Sequence, residues 1–178
     1  MFSPFVMKLQ YAMKFDIVDG KIRVLDKDQV MISPEILVEV QKEIENKLGE
    51  EGNKIIYNVA KKQGKDVLEY CKQITGFQKI KLQTLALDLV QTYGFGKFEV
   101  INLDWDNCSV ILHVHNSIIC KKYTEKFGHV NKPINYFLSG LLAGIYNVIF
   151  ENNVECMENL CTASGNLYCE FIIKRGEK

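Results

Sequence analysis

The stretch that most narrows what this chain can become lies near its C-terminus: Val154-Glu-Cys-Met-Glu158-Asn-Leu-Cys161-Thr-Ala-Ser-Gly165-Asn-Leu-Tyr-Cys169-Glu-Phe-Ile-Ile173. Its flanks alternate and carry β-branched and aromatic residues, which suits half-buried strands. Its middle, Thr162 to Asn166, is turn chemistry. The pattern predicts a β-hairpin over 153–174, with Cys161 closing the first strand and Cys169 early in the second. A hairpin sets those two sulfurs at the same end of the ladder. Glu158, three residues before Cys161, joins them if the strand bends or bulges. Two thiolates and a carboxylate at one strand end suit zinc. Two other readings stay open on spacing alone. One is a Cys161–Cys169 disulfide. The other is plain packing, since free Cys is among the most buried residue types.

The rest of the chain reads as strand pairs separated by helices. Tyr11 to Val24 is an opening strand pair around Asp19-Gly20, a strong hairpin signal, and Leu25 to Ile32 is a link. Ser33-Pro34-Glu35 starts a helix with a cap, a first-position proline and an acid. Ile36, Leu37, Val40, Ile44 and Leu48 follow at helical spacing, and Gly49 ends the helix. A second helix from about Gly52 carries Ile55, Ile56, Val59, Val67, Leu68 and Cys71, with Gly64 as its end or a kink. A third spans about Ile80 to Tyr93. Lys97–Asp104 and Ser109–His115 form a second strand pair, with Val110, Leu112 and Val114 on one face and Ile111, His113 and His115 on the other. Ser117 to Phe127 is helical. Pro133 opens a last helix to about Phe150, apolar on most sides, and therefore a buried one. Gly140 and Gly144, four apart inside it, imply close approach by another backbone or by a ligand, because interior helical glycine costs about 1 kcal/mol against alanine.

Strands joined as hairpins predict an antiparallel sheet with helices packed on it, an α+β fold in a single domain over 1–178. Lys plus Arg equals Asp plus Glu at 22 each, so no basic excess points to nucleic acid. Six cysteines and an N-terminus, Met1 to Lys8, without signal-peptide pattern predict a reducing, cytoplasmic setting. No apolar run approaches the roughly 20 residues of a membrane span. Phosphate-loop, nucleophile-elbow and zinc-protease motifs are missing, and Tyr93-Gly94-Phe95-Gly96 follows a helix, the wrong context for a dinucleotide fold.

Glu158, Cys161, Gly165, Cys169, Phe171 and Ile173, spaced E-x-x-C then C-x-F-x-I, resemble the closing signature of the 4-vinyl reductase domain family. Phe137-Leu-Ser-Gly140-Leu-Leu-Ala-Gly144 is similar to that family's glycine-bearing helix, and His115-Asn116-Ser117 to one of its strand ends. The resemblance implies a stand-alone, archaeal-type domain with the ligand-binding fold of nitric-oxide sensors and of the core subunits of the TRAPP vesicle-tethering complex. It also implies a homodimer. In the family's aromatic-sensing regulators, zinc is held by a cysteine at the start of the glycine-bearing helix and by the glutamate and two cysteines of the hairpin. Here the hairpin ligands fall on Glu158, Cys161 and Cys169, and the helix position falls on Asn135, a poor zinc ligand. Cys156, on the same strand face as Glu158, is the expected fourth ligand. Cys120, near a helix start where the dipole favours a thiolate, is the alternative.

The resemblance further places an apolar pocket between the last helix and the sheet, gated by a histidine and an aromatic residue. His113, His115, Trp105, Tyr136 and Phe137, with Gly140 and Gly144, are the candidates for its lining, and Tyr123 and Phe127 lie near them in sequence. The expected function is a zinc-containing module that binds or senses a hydrophobic or aromatic small molecule and acts through an effector protein. Two alternatives are a reductase of a vinyl group on a tetrapyrrole precursor, which needs a hydride source, and a TRAPP-like assembly subunit with a filled core.

Overall fold

A computed structural model describes residues 14–176, together with Phe5. The described residues divide into two compact units, one before and one from Pro34 onward. In the first, β1 (Phe15–Val18), β2 (Lys21–Val24) and β3 (Lys27–Gln29) make an antiparallel sheet in that order. The Asp19-Gly20 turn has positive φ at both residues, 52° and 75°, the mirror-image geometry that matches strand twist. The third strand replaces part of the expected link. Its turn is Leu25-Asp26, also at positive φ, and neither residue is the glycine or asparagine that normally signals such a turn. Tyr11–Met13, the start of the expected first strand, lie outside the described residues, as do Met1–Lys8 apart from Phe5.

The second unit is the expected α+β arrangement. Three helices, α1 (Pro34–Leu48), α2 (Glu50–Thr75) and α3 (Lys79–Thr92), precede β4 (Lys97–Asp104) and β5 (Ser109–His115). Then come α4 (Ile118–Phe127), α5 (Tyr136–Phe150), β6 (Val154–Leu160), a short 3-10 turn over Thr162–Ser164, and β7 (Cys169–Arg175). The sheet is antiparallel throughout, in the order β4-β5-β7-β6. Alternation puts Val110, Leu112, Val114, Phe171, Ile173 and Val154 on one face, all fully buried. Helix α5 packs on that face through Leu138, Leu142 and their neighbours.

Helix α2 runs uninterrupted through Gly64 and crosses α5. The crossing explains the glycines. A Cβ on Gly140 would lie 2.1 Å from the Tyr57 carbonyl oxygen, one on Gly144 2.0 Å from that of Lys61, and one on Gly64 2.3 Å from that of Leu141. These are backbone-to-backbone contacts that no side chain survives. At the crossing the inward residues of α2, Ala60 and Gly64, are accordingly small; Gly52 is closed in by Ile44 of α1, and Asn53, Leu68 and Cys71 are buried as well. This corrects two stripes. Ile55, Val59 and Val67 on α2 are exposed, as are Ile36, Val40 and Leu48 on α1. Val38 and Gln41 are the buried residues of α1, and the Gln41 amide donates to the Ile134 carbonyl at 2.7 Å. Large apolar side chains at helical spacing are the usual sign of a buried face, but a helix pair in backbone contact buries its small residues instead.

Candidate metal centre

The hairpin brings its three donors together as the spacing suggests. Register shifts between Glu158 and Leu160, so the strand is irregular at Asn159 and Glu158 remains on the buried face while the chain turns toward Cys161. The short turn over Thr162–Ser164 follows, closed by Gly165 at φ 88°. The Asn166 backbone and side chain both donate to the Cys161 carbonyl, at 3.3 and 3.0 Å, which fixes the loop. Cys169 then opens β7 opposite Val114.

The fourth donor comes from elsewhere in the chain. Asn116 leaves β5 at φ 57°, and Ser117 caps α4 by accepting the Cys120 N–H at 3.3 Å. That cap places Cys120 in the first turn of α4 with its sulfur 3.6 Å from Cys161 Sγ and 3.5 Å from Cys169 Sγ. Ligand atoms of Cys120, Glu158, Cys161 and Cys169 all lie within 4.8 Å of one another, and all four residues are buried. The separations suit an ion. In a tetrahedral thiolate centre with metal–sulfur bonds near 2.3 Å, neighbouring sulfurs sit about 3.8 Å apart. The set can therefore hold a metal.

Cys156, the expected fourth member, lies two residues up the strand, outside that group. It shares the buried face with Glu158, yet two residues of strand carry it about 6.6 Å away. Burial pushes its thiol well up, and its backbone N–H donates to the Tyr57 hydroxyl at 3.0 Å.

Electrostatics within the group are uneven. Hydrogen bonding with the Cys161 and then the Cys169 thiol pulls Cys120 below the usual thiol range. Contact with Cys120 foremost pushes Cys161 up, with Cys169 adding to it, and pushes Cys169 up to about 12 against the pull of Cys161. Burial raises Glu158, against the pull of the Asn135 backbone N–H. Both Glu158 oxygens are held: Oε2 accepts from the Ile134 and Asn135 backbone N–H groups at 3.0 and 2.9 Å, and Oε1 from the Asn135 side chain at 2.5 Å. A buried carboxylate beside a thiolate is costly unless donors or a cation compensate it.

The other predicted site residues are dispersed. His113 and His115 lie on the sheet face opposite the buried one. His113 pairs with Glu170 at 2.9 Å and stacks on Tyr168 with ring centroids 4.0 Å apart, and His115 faces Glu99 at 3.4 Å. Trp105 sits at the β4–β5 turn, edge-on to Phe150 at the end of α5. Phe137, at the other end of α5, stacks on Phe95, and Tyr136 beside it is part-buried. Tyr123 and Phe127 pack on each other. Gly140 and Gly144 belong to the α2–α5 crossing. A groove of about 770 Å³ lies by the C-terminal ends of α2 and α5, lined by polar residues including Lys65, Lys72, Glu151 and Asn153.

Comparison with known proteins agrees with this architecture. Residues 110–175 match the model of the 4-vinyl reductase domain. A protein of Methanocaldococcus jannaschii described as uncharacterized is 26% identical over 124 residues, 70% of this chain; the chain spans 65% of that relative's length. Among solved structures, the phenol-responsive sensory domain of the transcription activator PoxR, solved with phenol, superposes with a TM-score of 0.83 at 16% identity over 98% of this chain and 92% of that one. A vinyl-4-reductase family protein from Methanocaldococcus jannaschii gives 0.57 at 18% identity over 84% and 85%. A trafficking protein particle complex subunit 3 from Naegleria fowleri, covalently bound to palmitic acid, gives 0.55 at 14% identity over 81% and 95%. No helix of the described residues is long and apolar enough to cross a membrane.

Proposed function

From the premise that residues 110–175 carry a 4-vinyl reductase domain, we propose that this chain is a zinc-stabilised binding module for a small hydrophobic or aromatic molecule. The observation that carries the metal part is the buried group of three sulfurs and one carboxylate. Zinc is the ion that best suits sulfur-rich tetrahedral sites without redox chemistry. Four protein ligands close the site, so zinc there is structural: it ties α4 and the hairpin to each other.

Two observations support the small-molecule part. One is the likeness in fold to a sensory domain solved with phenol. The other is Tyr146, on the helix that covers the sheet, whose hydroxyl is fully buried and has no hydrogen-bond partner. A buried hydroxyl without a partner is uncommon, and a ligand with one polar group on an apolar body would satisfy it. The same reading includes a homodimer and an effector protein that receives the signal. The exposed Ile55, Val59, Val67 and Ile74 of α2 give a second copy an apolar face to cover.

Elemental analysis of freshly purified protein, with a thiol count, tests the metal. The expected result is about one zinc per chain, with thiols protected until denaturation. Metal-free protein whose six cysteines all react at once would overturn it. Titration with phenols and with fatty acids tests the ligand. One of the two classes should raise the melting temperature, and Tyr146→Phe should weaken that shift for the phenols.

A further inference from the structure

Resting on the metal reading above, we infer that Asn135 is a positioning residue of the cluster, which holds Glu158 and the Cys120 sulfur in ligating arrangement from outside the ligand set. Asn135 precedes α5 and is 3% exposed. Its side-chain Nδ2 reaches Glu158 Oε1 at 2.5 Å, Cys120 Sγ at 3.0 Å and Cys169 Sγ at 3.7 Å. An amide nitrogen is a donor and brings no lone pair to a metal. In this orientation the residue touches three of the four donors through a nitrogen that cannot join them.

The orientation of the amide is informative. Turned the other way, it would place its oxygen 2.5 Å from a carboxylate oxygen, acceptor against acceptor. In the observed orientation Oδ1 is buried and has no partner. An unpaired buried acceptor is rare, and here it accompanies a donor side turned to three acceptors, Glu158 Oε1, Cys120 Sγ and Cys169 Sγ. The segment that carries the amide is pinned as well. Gln41 of α1 holds the Ile134 carbonyl at 2.7 Å, and the Asn135 carbonyl accepts the Ser139 N–H at 2.8 Å. The Ile134 and Asn135 N–H groups hold the second Glu158 oxygen. Donors to a ligating carboxylate and thiolate fix their direction and favour the ionised forms that a metal requires. Asn135 stands where the sequence resemblance puts a ligating cysteine, and its amide lies 3.0 Å from Cys120 Sγ, the sulfur that stands in the group instead.

Cobalt(II) binding to the full chain tests this, because its absorption reports how many sulfurs surround the ion and in what geometry. Wild type should bind one cobalt through three sulfurs and one oxygen. Asn135→Ala should bind about 10- to 100-fold more weakly, with three sulfurs retained and an altered ligand-field spectrum. If Asn135→Ala does not fold, Asn135→Leu fills similar space without donors and should show the same loss. Asn135→Cys should add a fourth sulfur, and Glu158→Gln should then cost less cobalt affinity in that background than in wild type. A wild-type chain that takes no cobalt overturns the metal reading and this inference together. Wild-type binding with an unchanged affinity and spectrum in Asn135→Ala or Asn135→Leu overturns the inference alone.

Discussion

The candidate centre turns on which cysteine completes it. Glu158, Cys161 and Cys169 were legible in the sequence because they are local: one hairpin holds all three, and turn chemistry sets their register. Cys120 lies 41 and 49 residues from its two sulfur neighbours, and nothing in its surroundings marks it except a place near a helix start. The alternation of β6 favoured Cys156 instead, since a shared face is visible in sequence while distance along the strand to a third element is not. The two cysteines therefore separate by substitution. Cys120→Ser should lose metal, read as metal per chain after gel filtration. Cys156→Ser should retain it and melt lower, because a hydroxyl sealed without a partner costs about 1–3 kcal/mol. Full metal content in Cys120→Ser would return the fourth place to another residue.

At the level of elements, the α2–α5 crossing decides how the helices sit, and sequence periodicity found Leu68 and Cys71 of its buried side but misplaced the rest of the stripe. Hydrophobic spacing on α1 and α2 pointed to Ile36, Val40, Ile55 and Val59, which are exposed. The informative residues were the small ones, Ala60, Gly64, Gly140, Ala143 and Gly144, which a hydrophobicity pattern discounts. The paired glycines of α5 did announce a close approach, and the approaching backbone is that of α2. Gly140→Ala gains about 1 kcal/mol in helix propensity but must push the Tyr57 carbonyl aside. Overpacking of this kind costs about 3 kcal/mol, so the net loss of about 2 kcal/mol should lower the melting temperature by about 4–8 °C. A variant as stable as wild type would mean that the two helices can separate without penalty.

For the whole molecule, the order of strand pairs and helices led to the α+β class and the antiparallel sheet, because hairpins are local and their faces alternate. The extra strand β3 was not legible, since its turn uses a leucine at positive φ. An ion held by the cluster would link folding to metal, because the cluster joins segments near residues 120, 135 and 158–169 that come together only in the native chain. Chelation under reducing conditions should lower the melting temperature, and zinc added back should restore it. At free metal about 100-fold above the dissociation constant the link is worth about 2.7 kcal/mol, or about 5–10 °C. A melting curve indifferent to chelator would show that the fold stands without the ion.

The sheet of the second unit ends in two margins, β4 and β6. On β6, the Tyr57 hydroxyl takes the Cys156 N–H and gives its own proton to Glu155, which Lys61 also holds. A strand arriving at that side would have to displace this clasp. Ladder growth from molecule to molecule requires two receptive sides on every subunit. Neither side is bare here, since on β4 the Phe98 N–H is taken by Gln91 Oε1 at 3.0 Å, and a strand added at either margin must first displace a side chain.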